Sequence, residues 1–452
     1  MGKTPDKDEV NGLPLGARRA KWGPTCPSVV PIESGRRGIP LPPTSRVFRN
    51  MLQISKRTQK IIASPIRKFL PLVIDAEKKG VKVFKLNVGD PDLEPPREFW
   101  EKLKDYKSRN LPYAPSPGIL EHTKAWVKYY SDFGVKLQAS QIIPTVGCAE
   151  AILLAILTVT DPGDELLVFE PLYSSYKGIA AMCDVKLVPV TLKIEDNFSL
   201  PSFKEIEKKI SGKTKAIVVI NPNNPTGTIL KPEDFNLIGA IAKKHKLFII
   251  SDETYREIVF EGEPSTFLKM KNFSENVIVV DSVSKRFSCP GARIGCIASY
   301  NQDVMKGVLK IAQIRLSAPT LEQYALIPLL RNSKPYTDKI VQEYQRRCDV
   351  VFEELRKIPN VICRKPQGAF YIIAKLPIDD SDKFVRFLLK DFEHNKKTVL
   401  ITPAKDFYIS NNLGENEVRI AYVLKSNELK EAMQLLRLAI MEYKNLRYAK
   451  TR

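Results

Sequence analysis

Residues 277–295 read VIVVDSVSKRFSCPGARIG, in which four β-branched apolar residues run into a serine-bracketed lysine. That run has the length and branching of a buried strand. Lys285 follows within five residues, with Ser282 and Ser284 before it and Arg293 eight residues on. Two other runs end in the same manner. "AIVVI" leads into NPNNPTG (221–227), and "LFII" into SDETY (251–255). Ligands of open α/β sheets bind beyond the carboxyl ends of the strands. Asn224, Asp252, Tyr255 and Lys285 can therefore converge on one site while far apart in sequence.

Outward from this centre, strand-like runs VFKLNVG, QIIPTVG, ELLVFEP, AIVVINP, LFIISDE and VIVVDS alternate with segments of helical character. Such alternation indicates parallel strands with crossover helices covering both faces of a sheet. Beyond about residue 335 come a long amphipathic helix through IVQEYQRRCDVVFEELRKI, the run GAFYIIAKL, and a final helix near 427–445. The expected fold class is α/β: a large three-layer α/β/α domain with a mostly parallel sheet, plus a smaller α+β domain. We assign the large domain to 106–334, the small one to 56–105 with 335–452, and an extension to 1–55. No GxGxxG fingerprint occurs, so a dinucleotide site lacks its main support.

Composition narrows the partners. The content of 43% apolar and 27% charged residues is that of a soluble globular chain. The formal charge is +20, and residues 1–60 hold twelve Lys and Arg against four Asp and Glu. The remaining excess is spread over nearly four hundred residues, without a basic helix, zinc spacing or RNA-binding signature. No nucleic-acid partner is expected, and the leader is too short and proline-rich for a winged-helix DNA-binding domain. The longest apolar run, 151–159, falls far short of the roughly 20 residues a membrane span needs. Seven cysteines without paired spacing favour free thiols in a reducing, cytoplasmic compartment. The leader, with eight prolines in its first 45 residues, reads as disordered or as an arm. An organellar signal there is the competing reading, opposed by Asp6, Asp8, Glu9 and the prolines. The three histidines are not near any candidate ligand cluster, and no metal site is expected.

The polar residues at the strand ends have plainer readings one by one: a turn for Asn224, a helix cap for Asp252, a core aromatic for Tyr255, an ion pair for Arg293. Their conjunction carries the argument. Gly147 leads from a strand into the apolar helix CAEAILLAIL, whose free N–H groups make a ready phosphate site. Ser282 adds a hydroxyl and Arg293 a planar fork suited to phosphate oxygens. A ligand that needs a lysine, a carboxylate, amide or hydroxyl donors and a phosphate cradle is pyridoxal 5′-phosphate. Lys285 would form the Schiff base with its aldehyde, and Asp252 would pair with its ring nitrogen.

Residues 60–445 also resemble the class I/II aminotransferases, the aspartate and aromatic aminotransferase group of fold-type I pyridoxal-phosphate enzymes. The motifs LNVGDPDL, YAPSPG, GCAEAI, EPLYSSY, NPNNPTG, SDETY, SVSKRFSCPGARIG, GAFY and VRIAY occur in the family's order. The resemblance implies that Lys285 bonds the cofactor and shuttles the substrate proton, and that Asp252 holds the ring nitrogen. It implies that Asn224 and Tyr255 bond the ring oxygen and that Tyr173 stacks on the ring. Ser282, Arg293 and the backbone of Cys148 and Ala149 would hold the phosphate. Tyr113 would reach the phosphate of a partner subunit, implying a homodimer with shared active sites. Arg419 would clamp the α-carboxylate, with Gly89 against the same group.

The implied reaction moves an amino group from an L-amino acid, aspartate or aromatic, to a 2-oxo acid such as 2-oxoglutarate by ping-pong half-reactions. A fold-type I lyase or synthase, such as a carbon–sulfur β-lyase or a cyclopropane-forming synthase, shares the same residues and stays open. Cys148, Ala292 and Ala404 depart from the family's common pattern and bear on the pocket. Arg67 and Arg286 are the two candidates for a second substrate cation, although ordinary surface arginines are the expectation for both.

Overall fold

Side chains alternate across a strand, and the central strands use both faces for core. Ile217, Val219, Ile249, Val277 and Val279 pack on one side with Trp126, Tyr129, Ile238 and Leu326. Val218, Ile220, Ile250, Ile278 and Val280 pack on the other with Ile152, Ala155, Tyr176 and Val308. Two hydrophobic layers of this kind account for the near-continuous apolar runs. The computed structural model describes residues 52–61 and 64–450, with side chains described to residue 446. Of the proposed extension at 1–55, residues 1–51 lie outside the described residues.

The central sheet has seven strands. In spatial order they are Ile142–Thr145, Gly295–Ala298, Val277–Ser282, Phe248–Asp252, Thr214–Ile220, Glu165–Glu170 and Lys186–Thr191. Gly295–Ala298 runs antiparallel to both its neighbours, and the other pairings are parallel. The mostly parallel, helix-covered sheet is the expected architecture. Helices Leu120–Asp132, Pro232–His245 and Thr320–Arg331 lie on one face, and Gly147–Val159, Ser175–Cys183 and Gln302–Ile314 on the other.

Within the same compact unit, which runs from Ile54, a second core forms around two small sheets. Lys82–Lys85 pairs in parallel with Lys397–Leu400, and Tyr371–Lys375 lies antiparallel between Glu417–Ala421 and Ile362–Cys363. The run VFKLNVG thus joins this small sheet and not the central one. Helices Leu70–Lys78, Lys334–Arg356, Ser381–Lys390 and Ser426–Lys450 cover it, burying Val73, Tyr344, Phe384 and Leu436. All six described cysteines are free thiols. Among the described residues no helix is long and apolar enough to cross a membrane.

Candidate active site

The lysine turn begins where the strand Val277–Ser282 stops. Ser282 takes extended dihedrals, its Oγ accepts from the Ser284 N–H at 3.1 Å, and the short helix Val283–Arg286 starts. That geometry throws Lys285 into the crevice, where Nζ donates to the Gly89 carbonyl at 2.7 Å. Burial pulls the Lys285 amine down to about 8; Asp90 opposes this, and Arg419 and Arg293 add to it. An amine with that midpoint is about half neutral at pH 8, whereas an exposed lysine is almost wholly protonated there.

Phe248–Asp252 lies beside the lysine strand, so Asp252 emerges next to it. Its Oδ2 accepts from Tyr176 Oη at 3.2 Å, and its Oδ1 from the Thr254 N–H at 3.2 Å, with Cys148 Sγ 3.6 Å away. Burial raises the carboxyl's pKa, against the hydrogen bonds from Thr254, Tyr176 and Cys148. A buried carboxylate whose donors are all neutral is matched to a cationic ligand atom. Tyr255 Oη is 2.7 Å from Tyr371 Oη. Tyr371 in turn lies so close to Gly89 that a Cβ there would fall 1.8 Å from the phenol oxygen. Glycine at 89 is therefore a requirement of packing.

Arg419 is 1% exposed and sits 4.5 Å from the Tyr371 ring and 4.9 Å from Phe407. It donates to Asn224 Oδ1 at 3.0 Å and to the Asn87 carbonyl at 2.5 Å, both neutral oxygens. Its Nε is buried without a hydrogen-bond partner, and burial lowers its pKa. Tyr173, half-buried, lies in the neighbourhood of Tyr176, Tyr255 and Arg419.

Positive ends meet at the other side of the crevice. Gly147 opens the helix Gly147–Val159 at φ +69°, placing Cys148 and Ala149 in its first turn. The guanidinium of Arg293 packs against that helix start, since a Cβ on Gly147 would lie 2.6 Å from its Nη2. Gly295 lets the backbone of the helix start lie against the strand, because a side chain there would meet the Asp281 carbonyl at 2.4 Å and Cys148 N at 3.0 Å. A helix N-terminus and a guanidinium repel each other unless an anion sits between them, so the donor set suits phosphate.

The structure therefore gathers Gly89, Cys148, Ala149, Tyr173, Asn224, Asp252, Tyr255, Ser282, Lys285, Arg293 and Arg419 around one crevice. Tyr113 stands apart and is 78% exposed. Arg286 requires a correction: it is neither a surface arginine nor directed at substrate, being buried and paired with Asp281 and Glu257. Arg67 is exposed. Tyr176 and Tyr371 were missed as site residues, although each lies in a quoted motif, EPLYSSY and GAFY.

Comparisons with known proteins identify the family and the fold. The family described as aminotransferase class I and II matches residues 81–436. An aspartate aminotransferase of Pyrococcus horikoshii is 31% identical over 394 residues, 86% of this chain and 97% of that protein. An aromatic-amino-acid aminotransferase 2 of Thermococcus litoralis is 30% identical over 405 residues, 87% and 100% of the two chains. The solved alanine aminotransferase from Pyrococcus furiosus superposes with a TM-score of 0.78 at 30% identity, covering 86% of this chain and all of that one. Fold and site thus define a fold-type I enzyme, and the chain belongs to the class I and II aminotransferases. It is an amino-acid aminotransferase. Members of this family depend on pyridoxal phosphate.

Proposed function

We propose that this chain transfers the amino group of an L-amino acid, aspartate or aromatic, to a 2-oxo acid such as 2-oxoglutarate in two half-reactions, with pyridoxal 5′-phosphate held by the residues described above. When bound, that cofactor supplies an aldehyde to carry nitrogen and a ring to withdraw electrons. The helix start at Cys148 and Ala149, with Ser282 and Arg293, binds its phosphate. Asp252 keeps a proton on the ring nitrogen. Asn224 and Tyr255 hydrogen-bond the ring oxygen, and Tyr173 packs on the ring face. Arg419 orients the substrate by its α-carboxylate, close to Gly89. Lys285 Nζ, low enough in pKa to offer a lone pair, takes the proton from Cα and returns it.

The observation that carries this reading is the sharing of one crevice by a lysine with a midpoint of about 8 and a buried arginine whose partners are neutral. A transferase acting on amino acids needs both, a base for Cα and a cation for the carboxylate. The exposure of Tyr113 supports a homodimer in which it reaches the partner's phosphate. A large domain at 106–334 and a small one at 56–105 with 335–452 is the division we propose: most of the central-sheet core comes from the first range and most of the small-sheet core from the second, while Phe99, Ile373 and Phe407 join the former and Tyr255 and Ile258 the latter.

The test is absorption spectroscopy of the purified protein with pyridoxal phosphate. A visible band near ~420 nm that needs Lys285, is lost on adding L-aspartate or L-tyrosine, and returns with 2-oxoglutarate is expected. A band that persists while ammonia or pyruvate is released would refute the transfer reaction. Loss with one amino acid and not the other ranks the two substrate classes.

A further inference from the structure

Each of four site residues has a charged neighbour in sequence that serves the opposite side of its turn. Glu253 follows Asp252, Arg256 follows Tyr255, Asp281 precedes Ser282, and Arg286 follows Lys285. None of the four neighbours is more than 1% exposed. Period-two alternation sends Asp281 away from Ser282, and Glu253 follows directly on Asp252, where the adjacent parallel strand ends.

The four meet as one cluster centred on Asp281. Its Oδ2 accepts from Arg256 Nη2 at 2.6 Å and from Tyr130 Oη at 3.2 Å. Its Oδ1 accepts from Arg286 Nη2 and from the Ser282 N–H, the latter at 2.7 Å. Arg256 Nη1 also donates to Glu253 Oε2 at 2.5 Å, and Arg286 Nη1 lies 3.3 Å from Glu257 Oε2. Helix Leu120–Asp132 closes the cluster with aromatic faces, Tyr130 4.6 Å from the Arg256 guanidinium and Tyr129 4.6 Å from that of Arg286. Apolar side chains could fill this volume without the desolvation cost that ions incur. What ions add is direction: Arg256 bonds Glu253 in its own turn through one nitrogen and Asp281 in the other through a second, while Arg286 bonds Asp281 and lies 3.3 Å from Glu257 of the first turn.

We propose that this cluster is a positioning device. Asp281, clasped by Arg256 and Arg286, sets the register between the turn that carries Asp252 and Tyr255 and the turn that carries Ser282 and Lys285. Arg256 and Arg286 are positioning residues that act through Lys285 and touch neither cofactor nor substrate. The proposal rests on the roles given above to Lys285 and Asp252. The charged groups facing Lys285 Nζ are Asp90, Arg419 and Arg293, all outside the cluster. A change in the amine caused by a variant at 256 or 286 thus reports movement of the turn.

The experiment is amine labelling of the cofactor-free protein across pH, with the Lys285 peptide followed by mass. The parent is compared with Arg286→Lys and with the charge-balanced double variant Glu253→Gln/Arg256→Met, and circular dichroism checks folding. A midpoint near 8 is expected in the parent. It should rise in both variants as water reaches a loosened turn, and a rise of one unit cuts labelling at pH 8 about fivefold. In the loaded enzyme kcat should fall while KM for the amino acid holds, because Arg419 is untouched. Folded variants that keep the parent's Lys285 midpoint and kcat overturn the proposal. Should the double variant fail to fold, Arg286→Lys decides alone by the same two outcomes. A parent that labels normally yet takes up no pyridoxal phosphate sinks the proposed function instead, and the midpoint comparison still stands.

Discussion

Replacing Arg419 with lysine keeps the charge and removes the fork. The guanidinium is fixed by Asn224 Oδ1 at 3.0 Å and the Asn87 carbonyl at 2.5 Å, and it lies between Tyr371 and Phe407. Because those oxygens are neutral, the positive charge is left for a substrate carboxylate to balance. A lysine ammonium can meet that carboxylate only as a point charge. Losing one charge-assisted hydrogen bond costs about 1.5–3 kcal/mol, so kcat/KM should fall about 10- to 150-fold. The assay is steady-state kinetics with L-aspartate, L-tyrosine and 2-oxoglutarate, alongside an amine that lacks the carboxylate. All three acids should lose the same factor, since each presents one α-carboxylate, and the amine should lose almost nothing. An equal loss with the amine, or a loss confined to one acid, would refute the reasoning. Thermal unfolding of the same variant separates weakened binding from a damaged core.

Asp252→Asn removes the carboxylate held ready for a cationic ring atom. A charge pair at about 4 Å and an effective dielectric near 20 is worth ~4 kcal/mol, so single-turnover rates with L-aspartate should drop about a thousandfold; a drop below tenfold would remove Asp252 from that role. Gly89→Ala puts a methyl where the Tyr371 hydroxyl lies. The Tyr255–Tyr371 bond should break and activity fall at least about tenfold, to be measured as kcat/KM; a fully active variant would show that Tyr371 is free to move. His122 is neutral in the fold, bonded through Nδ1 to the Gln323 carbonyl and through Nε2 to the Trp126 N–H, and burial lowers its pKa to about 4. Since the unfolded chain binds that proton near pH 6.5, stability should fall as pH drops from ~6.5 to ~4, by up to ~3 kcal/mol. Denaturant titrations at pH 7, 5.5 and 4 should show a flatter profile for His122→Gln, and identical profiles would disprove the assignment.

Some elements could not be read from local pattern. Lys186–Thr191 contains Pro189, which removes a ladder donor and argues against a strand; it is tolerated because this is an edge strand. Gly295–Ala298 is four residues long and begins two residues after Arg293, too short a run to stand out. Arg286 follows a lysine on a one-turn helix, so its neighbours in sequence suggest solvent. One partner, Asp281, ends the strand just before that helix, but the other, Glu257, is brought by another segment, and the two together make burial affordable.

The sequence by itself determined five of the seven central strands, the helix starting at Gly147, the lysine turn and the identity of the residues at the strand ends. Periodicity, β-branching and glycine placement act over a few residues, so they are legible in one dimension. The tertiary structure alone decided which of those residues share an environment. Lys285 meets the Gly89 carbonyl across 196 residues of chain, and Tyr371 finds Tyr255, Arg419 and Gly89 in the same place. Burial then lowers the Lys285 amine, raises the Asp252 carboxyl and locks Arg286 behind the site. Those shifts arise from desolvation and from charges brought close by folding, and no local stretch of sequence contains either.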